Sequence, residues 1–405
     1  MISTDQQKGR SPAYYARRRF LKNKPAVLGL TYIAFLVLVA LIGHPILPDP
    51  TPQANDMVLE LETQPPGFSI HLLHIRKNQS VPTVSWWERW IWGTPSSFEK
   101  VPLIRYRMGR DSVFVERFIG NDSVGVWESY FLPDVAYAID PENPGWTPTD
   151  RGIRFRNVDG TMMEVSWDHL RSKVEKDHIV SQTYWLGTDR FGRDLLSRLA
   201  LGTRVSLSVG FIAVIISLIL GIFIGSIGGF YRGWIDEVVV WLINVAWSIP
   251  TLLLVIAISI ALGKGFWQVF VAVGLTMWVS VARIVRGQVL SIREQEYISA
   301  ARALGFRFPR MLVFHILPNI VGPLIVIAAA NFATAILLEA GLSFLGIGVQ
   351  PPTPSWGYML NDHRGYIVVD AAYLAFLPGL AIMLAVLAFY LVGNGLRDAL
   401  DVKIK

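Results

Sequence analysis

VSLSVGFIAVIISLILGIFIGSIGGFY, residues 205–231, runs for 27 positions without a charged side chain. A helix needs about 20 predominantly apolar residues to bridge a hydrocarbon core of about 30 Å, so this stretch has the length and chemistry of a membrane span. Five further runs share the property: Ala26 to Gly43, Val238 to Gly263, Gly265 to Ala282, Met311 to Leu338 (His315 taken as neutral) and Ala371 to Leu396. One such run fits a buried helix of a globular core; six in one chain do not. Composition agrees. The 405 residues are 52% hydrophobic and 17% charged, where soluble domains average about 45–50% and about 25%. With no cysteine, a disulfide framework, a thiolate zinc site and a cysteine nucleophile are excluded. The expectation is an all-α polytopic membrane protein with six transmembrane helices.

The first run has the basic flank of a signal peptide, Arg17, Arg18, Arg19, Lys22 and Lys24. Its length exceeds a signal h-region, and no small-residue cleavage site follows in His44 to Pro48, so it reads as a retained span over 26–47. Lysine and arginine placement sets orientation. The tail 1–25 carries seven, and the loop between the fourth and fifth runs carries Arg283, Arg286, Arg293, Arg302, Arg307 and Arg310. The connection between the third and fourth runs holds only Lys264, and that between the fifth and sixth only Arg364. Both termini and loop 283–318 are therefore expected in the cytoplasm. Segments on that side hold 17 Lys/Arg against 7 Asp/Glu, and the rest 20 against 24. The net charge of +6 is thus topological and not the footprint of a nucleic-acid partner.

About 155 residues, Asp49 to Thr203, separate the first two runs, far too many for a structureless loop. Residues 48–185 read as a small α+β extracytoplasmic insert. Gly152 to Trp167 predicts a hairpin around Asp159-Gly160, followed by a short helix over Trp167 to Lys176. Trp86, Trp87, Trp90 and Trp92 are expected in the core or at a membrane interface rather than as a ligand platform. His71 and His74 lack a third candidate ligand nearby, and no metal is expected. Asp189, Arg193 and Asp194 read first as a salt-bridged amphipathic helix on the outer surface and second as a docking or gating cluster.

No phosphate loop, H-E-x-x-H or G-x-S-x-G occurs; Gly263-Lys264-Gly265 lacks the leading glycine and the hydroxyl. No intramembrane chain of Asp, Glu and His suits a proton relay. Energy for uphill transport would have to enter through a partner. The informative segment is the basic loop. Glu294 to Leu304 predicts a helix stopped by Gly305, with Tyr297, Ala301 and Gly305 as a stripe that has little bulk at two of its three positions and is able to approach another surface closely; the plainer reading is an amphipathic loop with positive-inside arginines. Arg302, Arg307 and Arg310 surround it, and Pro318 sits near the start of the next span. Pro250 should kink the third run. Glu339 reads first as structural, near the outer end of the fifth run, and second as lining a path. With Asn244, Ser248, Thr276 and Ser280 it completes the candidates for a translocation path, although polar residues there serve helix packing equally well.

Ala300, Ala301, Gly305, Leu317 and Pro318 match in register the EAA signature of ABC-importer membrane subunits, with Ser299 and His315 departing from it. Leu186 to Arg198 with Gly202, Arg204 and Ser206 resembles the approach to the second span in the dipeptide/oligopeptide/nickel permease family, C-type subunit. Glu339 to Gly357 resembles that family's fifth-span exit, and Arg17 to Leu47 its leading segment. The family's first outer loop is much shorter than Asp49 to Trp185. The resemblance implies a five-helix permease core over 186–405. It implies pairing with a homologous permease, two ATP-binding subunits beneath and an extracytoplasmic solute-binding protein delivering peptide, all at the cytoplasmic (inner) membrane. Glu296, Ala300, Ala301, Arg302, Gly305 and Pro318 would form the ATPase-coupling loop, with no catalytic residue, cofactor or metal. Nickel or another small solute is the alternative substrate within the family. An ion-coupled secondary transporter would need internal repeats and buried titratable groups, and a membrane-anchored enzyme a nucleophile or metal constellation. The sequence offers neither.

Overall fold

The computed structural model describes residues 12–82, 84–120, 125–263 and 265–400. Lys264 and the ends of both tails, including Lys8, Arg10, Lys403 and Lys405, lie outside the described residues. In chain order the helices are α1 Pro12–Lys22, α2 Lys24–Ile42, α3 Trp86–Trp92, α4 Leu132–Ala136, α5 Trp167–Lys173, α6 Leu195–Tyr231, α7 Gly233–Ser248, α8 Thr251–Leu262, α9 Phe266–Arg293, α10 Glu296–Ala303, α11 Phe308–Met311, α12 Leu317–Phe344, α13 Trp356–His363 and α14 Tyr373–Leu400. The strands are β1 Phe68–Arg76, β2 Phe98–Met108, β3 Ser112–Arg117, β4 Val126–Phe131, β5 Thr147–Pro148, β6 Gly152–Arg156, β7 Met162–Ser166 and β8 Ile179–Tyr184. Two compact units result: a helical one (up to Leu41, Gly202–Gly365, and from Ala375) and a mixed one (Ile42–Leu201 with Tyr366–Leu374). The protein is a mostly helical polytopic membrane protein with a small α+β insert near its N-terminus.

Among the described residues, five helices are long and apolar enough to cross a membrane: α2, α6, α9, the continuous stretch Phe308–Phe344, and α14. The third charge-free run is not one kinked rod. It divides into α7 and α8, which meet at 91° and count together as a sixth span only as a broken pair. Pro250 is the cause: its missing N–H and its ring end α7 at Ser248, and α8 restarts at Thr251. Several helices outrun their charge-free cores. α6 begins ten residues early, and Arg204 is accommodated because its Nε donates to the Ala40 carbonyl oxygen at 2.5 Å.

In lipid, helices gain little from hydrophobicity and pack through small residues that let backbones approach. Gly221, Gly225 and Gly229 of α6 form such a stripe against α9. A Cβ on Gly225 would collide with the Ala282 carbonyl oxygen, and one on Gly229 would sit 2.8 Å from that of Arg286. Gly29 of α2 lies against Ala388 of α14 in the same way, and Phe332 stacks on Phe389 at 4.0 Å between α12 and α14. Gly225→Val should therefore force α6 off α9. Overpacking costs about 1–3 kcal/mol where neighbours yield, and here the neighbour is backbone. A lowered unfolding midpoint in detergent, well below that of Ala329→Val on α12, is the expected result.

The insert builds its main sheet in the order β4-β3-β2-β1-β8, all neighbours antiparallel, and a small sheet β5-β6-β7. The hairpin read from Asp159-Gly160 is β6–β7, with Ile153 opposite Val165. Leu73, Val101, Val113 and Val115 of the main sheet share one core with Ile153, Phe155 and Val165 of the small one, under Leu132 and Leu170 from α4 and α5. Leu72, on the opposite face of β1, joins Val58, Leu61, Phe118 and Tyr184 in a second core. The helix expected over 167–176 ends at Lys173 and widens into a π turn, Val174–His178.

Asp189, Arg193 and Asp194 correct their reading. They lie in a buried turn ahead of α6, not on an exposed amphipathic helix. Arg193 Nε donates to Asp189 Oδ2 at 2.6 Å, and Arg198 approaches the same oxygen at 3.6 Å. Asp194 Oδ2 accepts from Ser197 Oγ at 2.5 Å, and Ser197 Oγ accepts from the Asp49 backbone at 3.0 Å. Arg193 Nη1 reaches Asn55 Oδ1 at 3.0 Å. Gly192, at φ 69°, lies so close to Val58 that any Cβ would strike its carbonyl oxygen. The cluster thereby ties residues 49–58 to residues 188–198.

His74 and His178 give the insert a pH dependence. His74 stacks on Phe98 at 5.5 Å, and its carbonyl contacts His178 Nδ1 at 2.6 Å. Burial first, then the charges of Lys100 and His178, lower the His74 pKa from 6.5 to about 4, against a smaller opposing pull from Asp56. Burial lowers that of His178 too. The unfolded chain binds these protons near pH 6.5 and the folded insert resists them, so stability is full above that pH and falls toward pH 4. Melting of the full chain in detergent should drop between pH 7 and pH 5, with a shallower drop for His74→Phe.

Candidate functional site

The basic loop folds as a compact cap on the ends of α6 and α9. α10 is shorter than expected, Glu296–Ala303. Its end is a Schellman turn: Phe306 N–H donates to Ala301 at 3.1 Å and Gly305 N–H to Arg302 at 2.9 Å. That turn needs a left-handed residue, and Gly305 sits at φ 81°. Ile298 and Ala301 point inward, packed with Phe230, Val281, Val285, Val289, Met311, Ile316 and Ile320. The stripe read as Tyr297, Ala301 and Gly305 is therefore corrected at Ala301: the small side chain is what lets α10 lie close to its own bundle. Outward, the loop presents Glu296, Tyr297, Ser299, Ala300, Arg302, Ala303, Leu304 and Gly305. Leu304 is 75% exposed, and Phe314 and Val313 are exposed beyond it.

The cap is held firmly. Arg286 clamps Asp236 with two bonds, 2.5 and 2.7 Å. Arg232 meets Glu294 at 2.6 Å, and Arg293 donates to the Phe230 carbonyl oxygen. Phe308 packs on Phe230 at 4.9 Å and on Tyr231 at 5.3 Å. Phe306 stacks on His315, with the Arg310 guanidinium 4.2 Å from the Phe306 ring. Pro318 occupies the first turn of α12, where no N–H is needed, just after the π turn Leu312–Ile316.

A cleft of about 280 Å³ opens in the helical unit between α7–α8, α9 and α12. Thr276, Ser280, Asn331, Thr334 and Thr251 line it with Trp247 and Ile249. The hydroxyls of Thr276 and Ser280 donate to Val273 and Met277 within α9 at 2.8 and 3.0 Å. The Asn331 amide lies 3.5 Å from both Ser280 Oγ and Ser217 Oγ. Sequence reading named Thr276 and Ser280 and missed Asn331, although an amide after three alanines in the fifth run was a signal. Asn244 and Ser248 lie on the exposed side of α7, apart from the cleft lining. Glu339 is fully buried, accepts from Ser343 Oγ at 2.7 Å, and is also outside the cleft lining. Among the described residues no cluster of His, Asp and Glu suits a metal. His71 and His74, three apart on a strand, point to opposite faces of β1.

Comparison with known proteins places these features. The family model described as binding-protein-dependent transport system inner membrane component matches residues 200–405. That of the N-terminal TM domain of oligopeptide transport permease C matches residues 11–66. The dipeptide transport system permease protein DppC of Alkalihalophilus pseudofirmus is 45% identical over 225 residues, 56% of this chain and 74% of that one. The glutathione transport system permease protein GsiD of Pectobacterium atrosepticum is 42% identical over the same shares. The oligopeptide transport system permease protein OppC of Bacillus subtilis is 40% identical over 57% of this chain and 76% of that one. A chain of the inward-facing MetNI methionine ABC transporter aligns at a TM-score of 0.43 and 19% identity, covering 51% of this chain and 97% of that one.

Proposed function

The chain belongs to the family of binding-protein-dependent transport system inner membrane components, a family of ABC-importer permeases, and on that premise we propose that it forms half of the translocation path of an ATP-driven peptide importer. The other half is a homologous permease. Two ATP-binding subunits sit on the cytoplasmic cap, and a solute-binding protein delivers peptide from outside. The chain supplies the path and no hydrolysis of its own. Six spans, with α7 and α8 together as one, put both termini and the cap in the cytoplasm and the insert 48–185 outside, in keeping with the lysine and arginine bias.

The observation that carries this reading is the joining of cap and cleft by one helix. Val285 and Val289 of α9 grip Ile298 and Ala301, while Thr276 and Ser280 of the same helix line the cleft. Nine residues, about 14 Å of continuous helix, separate Val289 from Ser280. A push on the exposed face of α10 thus moves the cleft wall as a rigid body, which is the motion alternating access requires. Leu304, Tyr297 and Gly305 form the docking face, Glu296, Ala300 and Arg302 its margin, and Ala301 and Pro318 its anchorage. Thr276, Ser280 and Asn331 contact solute. Purification tests the reading: ATP-binding subunits should accompany the chain, and vesicles holding the complex should take up peptide in a vanadate-sensitive manner. Peptide uptake driven by an ion gradient without ATP would overturn it.

A further inference from the structure

Helix α3, Trp-Trp-Glu-Arg-Trp-Ile-Trp, buries none of its residues. Trp86 is 78% exposed, Trp87 48% and Trp92 69%. The insert core, the proposed path and the docking cap leave these side chains unused. Such a surface is poorly suited to water, and it is not loose. Ser85 and Glu88 form a reciprocal capping box, with Ser85 N–H donating to Glu88 at 2.9 Å. At the other end Gly93 N–H donates to Arg89 at 3.1 Å, and Thr94 N–H to Pro50 at 2.8 Å. Gly93 has room for no side chain: a Cβ would lie 2.6 Å from the Pro50 carbonyl oxygen and 2.8 Å from the His44 ring. His44 follows by two residues the last residue of α2, Ile42.

This tether fixes the depth of α3. The 19 residues of α2 are about 28 Å long, the thickness of one hydrocarbon core, so its far end lies at the bilayer boundary. Two residues of chain reach about 7 Å. The end of α3 is thereby held at the level of the lipid headgroups, where tryptophan partitions best because its ring is apolar and its N–H needs a polar partner. Ile46, in the same connector, is exposed as well. Arg89, between the tryptophans, can extend its guanidinium toward phosphate while its stem stays among them.

We propose that α3 is an interfacial membrane anchor of the insert, its tryptophans seated in the outer headgroup layer beside the exit of α2. The proposal rests on α2 being a span, as the importer reading holds, but not on which solute is carried or how the cap docks. Its occupant is lipid, because α3 is tied to the connector by which α2 leaves the lipid.

The absence of native cysteine makes the test direct. Nitroxide labels on Trp86→Cys and Trp92→Cys are compared with one on Glu142→Cys, elsewhere on the insert, in the full complex in phosphatidylethanolamine–phosphatidylglycerol vesicles. The ratio of oxygen to nickel-chelate collision should be several-fold higher at 86 and 92 than at 142. Equal ratios would overturn the proposal, as would shielding that appears only when a solute-binding protein is added. A second measurement keeps the native ring count nearly intact: brominated lipids should quench wild-type tryptophan emission more than that of Trp86→Phe/Trp92→Phe. Equal quenching would also overturn it. Uptake failure with normal collision ratios would count against the importer reading alone.

Discussion

Gly305→Glu should reduce peptide uptake to background while the chain still inserts and folds. Gly305 sits at φ 81° with open space around its missing side chain, so no neighbour within the chain resists a larger residue. The intrinsic penalty is left-handed backbone, about 1–2 kcal/mol, too little to unfold a chain of this size. The larger loss arises outside the chain. Beside Leu304 and among Arg302, Arg307 and Arg310, a carboxylate would sit in the apolar contact the docking face needs and would pair with its own arginines. Gly305→Asn separates the two effects, because asparagine tolerates left-handed backbone. It should keep most uptake, whereas Gly305→Glu should lose both uptake and co-purifying ATP-binding subunits. Wild-type uptake in the glutamate variant would remove the docking face from the mechanism.

Asp189→Ala should have the largest effect on stability. Asp189 is buried between Arg193 and Arg198, with Oδ1 accepting from the Phe191 and Arg193 backbone at 2.8 and 3.1 Å. Removing one partner of a buried pair leaves uncompensated charge and costs about 3–5 kcal/mol. Here two arginines lose their nearest carboxylate together. The turn would open, and the link between residues 49–58 and 188–198 with it. Protease digestion of the full complex should cut the insert early in this variant, while Asp168→Ala, an exposed ion pair with Arg171, should match the wild type. An insert in Asp189→Ala as resistant as in wild type would show that the buried cluster is not what holds these segments.

The sequence made the spans legible because a charge-free run is a local property. It marked Pro250 but not the 91° break, since the angle depends on what α8 packs against once α7 has ended. Small-residue spacing was visible in two places and informative in one. Gly221, Gly225 and Gly229 went unremarked although they seat α6 on α9, whereas Ala301 drew attention as a partner contact and proves to face its own bundle. Spacing fixes which residues share a helix face and not which neighbour that face meets. Asp189, Arg193 and Asp194 were read as surface because most charges are; only the fold brings Asn55 and Arg198 to them. The tryptophans of α3 were visible as a cluster, but their depth became readable only from Gly93 and His44, 49 residues apart in the chain.

The central claim, that the cap around Leu304 receives force from an ATP-binding subunit in the cytoplasm, is tested most directly by one cysteine. In a chain with none, Leu304→Cys carries the only thiol. A short bifunctional thiol reagent should join it to an ATP-binding subunit in the assembled complex, with a yield that changes when ATP and vanadate are added. Labelling by a membrane-impermeant maleimide from outside the cell, or a complex in which position 304 never reaches an ATP-binding subunit, would contradict the account.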